Sequence, residues 1–162
     1  MDELNFTGKI VNGRGTHVEL GVPGRSELIN ATNDWPERLK PGSLNLLVSE
    51  FPDVFEMRRL PRSTESLDVA GFEPEFIIPQ AAMSNNELKP SKDMPHRGAA
   101  QVWQAVLEVE KGSMPCWVLR RFGSGLDKEL EMVSDVHLRT TLGLAKDREW
   151  PAKVKMFGVW KP

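Results

Sequence analysis

The chain contains no tyrosine and a single cysteine, Cys116. One cysteine cannot close an internal disulfide, nor can it supply the thiolates of a Cys-based zinc site. Its neighbours in MPCWVL are apolar, which predicts a buried structural thiol. An unpaired cysteine is compatible with a reducing cytoplasm. Basic residues are not in excess. Lysine and arginine total 21 against 23 aspartates and glutamates, a net charge of −2. Non-specific attraction to nucleic acid therefore has no general electrostatic basis, although a local basic patch stays open. No apolar run approaches the ~20 residues that a membrane-spanning helix needs, and the first stretch, MDELNFTGKIV, opens on acidic residues. The expectation is no signal peptide, no membrane span and a cytoplasmic location. The phosphate-binding G-x-x-x-x-G-K-[ST] loop, a dinucleotide fingerprint after a strand, H-E-x-x-H and G-x-S-x-G are all missing. The three histidines, His17, His96 and His137, have no metal-ligand spacing among them.

What is present is punctuation. The 13 glycines and 12 prolines exceed the ~12 % combined share of average usage and separate short apolar runs. That spacing predicts a turn-rich β fold rather than a helix bundle. LNFTGKIV (4–11) reads as a first strand bent at Gly8. NGRG (12–15) is a turn and THVELGV (16–22) alternates as its hairpin partner. SELINATNDW (26–35) reads as a short helix capped by Ser26. KPGSLNLLV (40–48), FEPEFIIP (72–79), AQVWQAVLEVE (100–110), SMPCWVLRR (113–121), LEMVSD (130–135) and AKVKMFGVW (152–160) read as strands. Residues 80–98 read as a mobile surface loop, and HLRTTLGL (137–144) as a helical turn or two with Leu138, Leu142 and Leu144 inward. The expectation is one domain, 1–162, mainly β, closed or partly closed into a small barrel that hides its strand edges.

Three stretches carry candidate chemistry. In PGSLNL (41–46), Ser43 and Asn45 share one face of a strand just after a tight turn. A hydroxyl and an amide oxygen so placed can hold a hard cation such as magnesium when phosphates and water complete the shell. An ordinary polar strand edge is the plain alternative. In NGRGT (12–16), backbone amides of a glycine turn can cradle phosphate while Arg14 adds charge. A solvated turn is the alternative. From Arg120 to Arg139, RRFGSG sets two arginines beside a glycine turn, and a helix starting near Val136 can aim amides at an anion. Among the tryptophans, Trp35 and Trp150 sit in polar, Pro-adjacent contexts and are the better candidates for stacking on a ligand, the others for core packing.

Taken in order, GKIVNGRG, PGSLNL and ELEMVSDVHLRTTLGLAKD resemble the archaeal-type CTP-dependent riboflavin kinases. That family has a small barrel of the cradle-loop, swapped-hairpin kind. The resemblance covers most of the chain, is weak between residues 50 and 100, and is most specific at PGSLNL. It implies magnesium on Ser43 and Asn45, and a nucleotide held by Arg14, Gly15, Thr16 and His17 and by Val136, His137, Leu138 and Arg139. It also implies riboflavin contacts at Ser124 and Glu131. Arg14 and Glu131 are the implied catalytic residues, and the implied reaction is transfer of a phosphoryl group from CTP to the riboflavin 5′-hydroxyl to give FMN. The alternatives are a barrel that binds nucleotide or flavin without turnover, and a kinase of a different small-molecule hydroxyl.

Overall fold

The computed structural model describes residues 1–11, 21–40, 44–83 and 88–162. Eight strands make one sheet system: β1 (Asp2–Val11), β2 (Leu44–Glu50), β3 (Phe72–Glu73), β4 (Phe76–Ile78), β5 (Ala100–Val109), β6 (Gly112–Arg121), β7 (Glu129–Val133) and β8 (Trp150–Trp160). Two short helices, α1 (Asp53–Met57) and α2 (Leu138–Thr141), lie among the connections. Six strands, in the order β8-β1-β2-β7-β6-β5, close on themselves because β8 also pairs with β5. Every pairing is antiparallel. Full closure leaves the six strands without an open edge. The two extra strands sit outside the ring, β3 on the end of β8 and β4 on the start of β5. Among the described residues no helix is long and apolar enough to cross a membrane.

Alternation decides what fills the barrel. Leu4, Phe6 and Ile10 of β1, Leu44, Leu46 and Val48 of β2, Trp103, Ala105 and Leu107 of β5, Cys116 and Val118 of β6, Leu130 and Met132 of β7, and Val154 and Met156 of β8 belong to one buried cluster. Leu4, Phe6, Gly8 and Ile10 keep period two along β1, although its pairing register with β2 slips between Thr7 and Gly8. There the strands approach so closely that a Cβ on Gly8 would lie 2.0 Å from the Leu47 carbonyl oxygen. The predicted bend at Gly8 is thus a β-bulge that only glycine admits. Phe55 of α1 plugs the barrel edge-on to Phe6, with ring centres 5.8 Å apart.

A second apolar cluster covers the outside. Ala100 and Val102 of β5, Leu119 of β6 and Val133 of β7 face away from the barrel interior, beneath Trp35, Phe76, Ile78 and Met83. The cover is a strap, residues 21–40, which also contributes Val22, Leu28, Ala31 and Leu39. Instead of the expected helix over 26–35, the strap has a single 3-10 turn at Arg25–Glu27. Its amides are used one at a time: Arg25 to the Pro36 carbonyl, Trp35 to Thr32, Lys40 to Ser134. The expected strand over 72–79 is two pieces, because Pro74 has no amide to continue a ladder. The predicted hairpin partner at 16–22 falls mostly outside the described residues.

Candidate functional site

Asn45 sits on the outward face of β2, paired across to Val11 on β1 and to Glu131 on β7. Glu131 in turn pairs with Leu119 of β6, so the two polar side chains border the outer apolar cluster. Asn45 Nδ2 donates to Glu129 Oε1 at 3.4 Å. Its Oδ1 is buried and has no hydrogen-bond partner among the described residues. A buried amide oxygen left unsatisfied costs on the order of 1–3 kcal/mol, so this atom fits a ligand that accepts its lone pairs. A hard cation is such a ligand, and Oδ1 is the donor that PGSLNL predicts. Ser43, the other expected donor, lies outside the described residues. So do Arg14, Gly15, Thr16 and His17. Among the described residues no three or more His, Cys, Asp or Glu converge as a metal site by themselves.

The second predicted nucleotide contact is held close by the backbone. The Lys40 amide donates to the Ser134 carbonyl at 2.7 Å, which ties the segment leading to Asn45 to the link that carries Val136–Arg139. Val136 is exposed and His137 caps α2, its Nδ1 accepting from the Thr140 amide at 3.2 Å. The Val136 amide donates to Ser134 Oγ. Two of the amides near this helix start are therefore already engaged. Leu138 is core. Arg139 turns inward, and its Nη1 donates to the Leu144 carbonyl at 3.3 Å. Burial holds the Arg139 guanidinium below its ordinary pKa.

Ser124 lies in the loop between β6 and β7, flanked by Gly123 and Gly125 at φ +71° and +79°. Its Oγ is buried and, like Oδ1 of Asn45, lacks a partner among the described residues. The two arginines read as an anion site beside this loop have another use. Arg120 is almost wholly buried, with Nε 2.9 Å from Asp68 Oδ1 and Nη1 on the Leu126 carbonyl. Arg121 Nε donates to the Gly98 carbonyl. These side chains tie loops together.

Neither stacking candidate presents a ring. Trp35 is fully buried; its indole nitrogen donates to the Pro23 carbonyl, and the ring meets Phe76 and Trp117 edge-on at 5.2 and 5.3 Å. Trp150 is 7 % exposed and already carries cations, the Arg148 guanidinium 3.7 Å and the Lys111 ammonium 4.8 Å from its ring centre. Sequence context could not tell a docked tryptophan from an open one. Glu129 stands in the sequence only as one charge of ELEMVSDVHLR, and its contact with Asn45 is not legible there. Its spacing two before Glu131 puts both on one face of β7, which is the clue that was there to find. A cavity of about 80 Å³ lined by Met1, Glu73, Pro74, Glu75, Gln104, Phe157, Gly158 and Val159 contains none of the predicted residues.

Fold and site together define a closed six-stranded antiparallel β-barrel with a polar strand-face site beside a strapped outer core. No protein-family model matches the chain, and no curated protein matches it.

Proposed function

We propose that the protein is a nucleotide-dependent riboflavin kinase, with CTP as the donor, magnesium as the cofactor and FMN as the product. The observation that carries this reading is Asn45 Oδ1: buried, unpaired, and two residues on from the serine with which it would share a cation. A barrel that bound flavin alone has no need of that oxygen.

In this reading Asn45 Oδ1 and the Ser43 hydroxyl hold the cation. When bound, magnesium neutralises and aligns the triphosphate. The chain's own residues do the remainder. Arg14 and the amides of Gly15, Thr16 and His17 take up the charge of the transferring group. Val136 and His137, at the exposed start of α2, border the nucleotide, while Leu138 and Arg139 shape that border from inside. Ser124 Oγ reaches the flavin. Glu131, next to Asn45 in the sheet, orients the attacking ribityl hydroxyl and takes its proton as the oxygen bonds to the γ-phosphorus. The bond from the γ-phosphorus to the β–γ bridging oxygen breaks and CDP leaves. Catalysis here is positioning and charge neutralisation, as phosphoryl transfer generally requires. The lone buried thiol fits a reducing, cytoplasmic setting.

The test is FMN formation, followed by fluorescence-detected chromatography, with riboflavin, magnesium and either CTP or ATP. FMN appearing with CTP and disappearing in Asn45→Ala, with the thermal midpoint unchanged, supports the kinase. Riboflavin or nucleotide binding without FMN leaves the non-catalytic barrel. Full turnover in Asn45→Ala removes the metal assignment.

A further inference from the structure

A carboxylate decides which end of the Asn45 side chain is available. Glu129 and Glu131 flank Asn45 from the neighbouring strand, Glu131 directly opposite and Glu129 reaching Asn45 Nδ2 at 3.4 Å. An ionised carboxylate only accepts hydrogen bonds, whereas an amide has one donating and one accepting end. Glu129 can therefore take only the amino end. The carbonyl end is turned away from it, and that is the end found buried without a partner. Without Glu129 the amide could rotate by half a turn and present NH₂, which repels a cation.

The same pair of glutamates explains why the ligand at this position is neutral. An aspartate at 45 would be a stronger isolated cation ligand. Here it would set a third carboxylate against Glu129 and Glu131, and like charges at this spacing disfavour ionisation. It would also face an incoming triphosphate.

We propose that Glu129 is a positioning residue for the cation site, which acts by fixing the rotamer and polarity of Asn45 so that Oδ1 meets the metal–nucleotide complex. This rests on the kinase reading above and adds a residue to it. Partners of metal ligands typically matter by roughly ten- to a hundredfold in metal affinity.

The experiment measures binding of Mn²⁺–CTP by the electron paramagnetic resonance of the bound Mn²⁺, with no turnover involved. Wild type is compared with Glu129→Ala, Glu129→Gln, Asn45→Asp and the double variant Asn45→Asp/Glu129→Gln. Glu129→Ala is expected to bind about ten- to a hundredfold more weakly. Glu129→Gln is expected to lose less, because glutamine can still offer its carbonyl oxygen to Asn45 Nδ2. Should Glu129→Ala fail to fold, the isosteric Glu129→Gln carries the comparison. Asn45→Asp is expected to bind poorly. In the double variant the new amide at position 129 can donate to one oxygen of the new carboxylate at position 45 and leave the other for the metal, so binding should recover. A purely structural role for Glu129 produces no such rescue. Wild-type binding with no loss in either Glu129 variant, or a double variant no better than Asn45→Asp, overturns the positioning role and leaves the kinase reading standing. Wild type that takes up no Mn²⁺–CTP overturns both.

Discussion

Asp34 and Glu75 hold the same amide. Gln104 Nε2, on the outer face of β5, donates to Asp34 Oδ2 of the strap and to Glu75 Oε1, the latter at 3.3 Å. Asp34 Oδ1 accepts from Thr32 Oγ1 at 2.7 Å, while Glu75 Oε2 is buried and unpartnered among the described residues. Among the described residues neither carboxylate has an ion-pair partner. Through Gln104 the pair adds a polar tie between Asp34 of the strap and the barrel wall.

Its protonation should be legible in stability. Burial pushes the Glu75 carboxyl up, and the hydrogen bond and charge of Asp34 push it the same way. Burial also pushes Asp34 up, but hydrogen bonds with Thr32, Glu75 and Gln104 outweigh this and hold it below its usual value. A raised carboxyl contributes stability that is lost as pH rises through its folded-state value. A lowered one contributes stability that is lost as pH falls through its own. The strap should therefore sit tightest in the window between them, where Glu75 is protonated and Asp34 ionised. The urea midpoint of Glu75→Gln should lose the decline on the alkaline side of that window and keep the one on the acid side. Identical pH profiles for wild type and Glu75→Gln would refute the raised Glu75 carboxyl.

Trp35 is the strap's anchor. It fills the space between Phe76 and Trp117 and ties back to Pro23. Trp35→Ala should cost about 3–5 kcal/mol, the usual range for emptying a large aromatic from a core. Hydrogen exchange should rise first at the amides of Arg25, Trp35 and Lys40, which the strap holds singly. A loss below about 1 kcal/mol, small for such a deletion, would mean that the outer cluster recloses without it.

These two sites mark where sequence pattern stops being informative. Period-two alternation marked β1, β2, β5, β6, β7 and β8, and the bulge at Gly8 announced itself as a glycine inside a strand. The outer core did not. Ala100, Val102, Leu119 and Val133 hint that a second layer covers β5 to β7, yet the covering strap has no period of its own. It is held by single hydrogen bonds to distant partners, so Trp35 in NDWP looked open and Ser26 looked like the start of a helix. Asn45 was visible because strand alternation and a preceding turn are local facts. Its contact with Glu129, 84 residues away, needed the β2–β7 pairing. Arg120 looked like an anion ligand beside a glycine loop for the same reason: its real partner, Asp68, is 52 residues earlier.

That partner yields a sharp expectation. Asp68 accepts from Arg120 through both oxygens, from Gln101 Nε2 and from the Gly123 amide. Breaking a buried pair by removing one member strands the other charge, at a cost of about 3–5 kcal/mol. Asp68→Ala should show that loss in urea unfolding. Replacing both members, Asp68→Leu with Arg120→Met, should recover much of it, since the double change strands no charge. A double variant as unstable as Asp68→Ala would indicate that the bonds to Gln101 and Gly123, rather than the ion pair, hold the loops.

Cys116 gives a clock for opening of the barrel. Its thiol points into the barrel core, and burial pushes its pKa from 9.0 up to about 12. The thiolate is the reactive form, so a disulfide reagent at mildly alkaline pH should find almost nothing to attack in the folded chain. Labelling should proceed only when β6 separates from its neighbours, at the rate at which its amides exchange. The sign of the pH effect follows from the raised value: stability linked to this thiol is fully present below about pH 9 and declines as the pH climbs from there towards about 12. Cys116→Ala should start less stable, because it leaves a small void, but should fall less steeply over that range. Labelling of native protein much faster than exchange of the β6 amides would mean that the barrel opens locally at Cys116 without unzipping the strand.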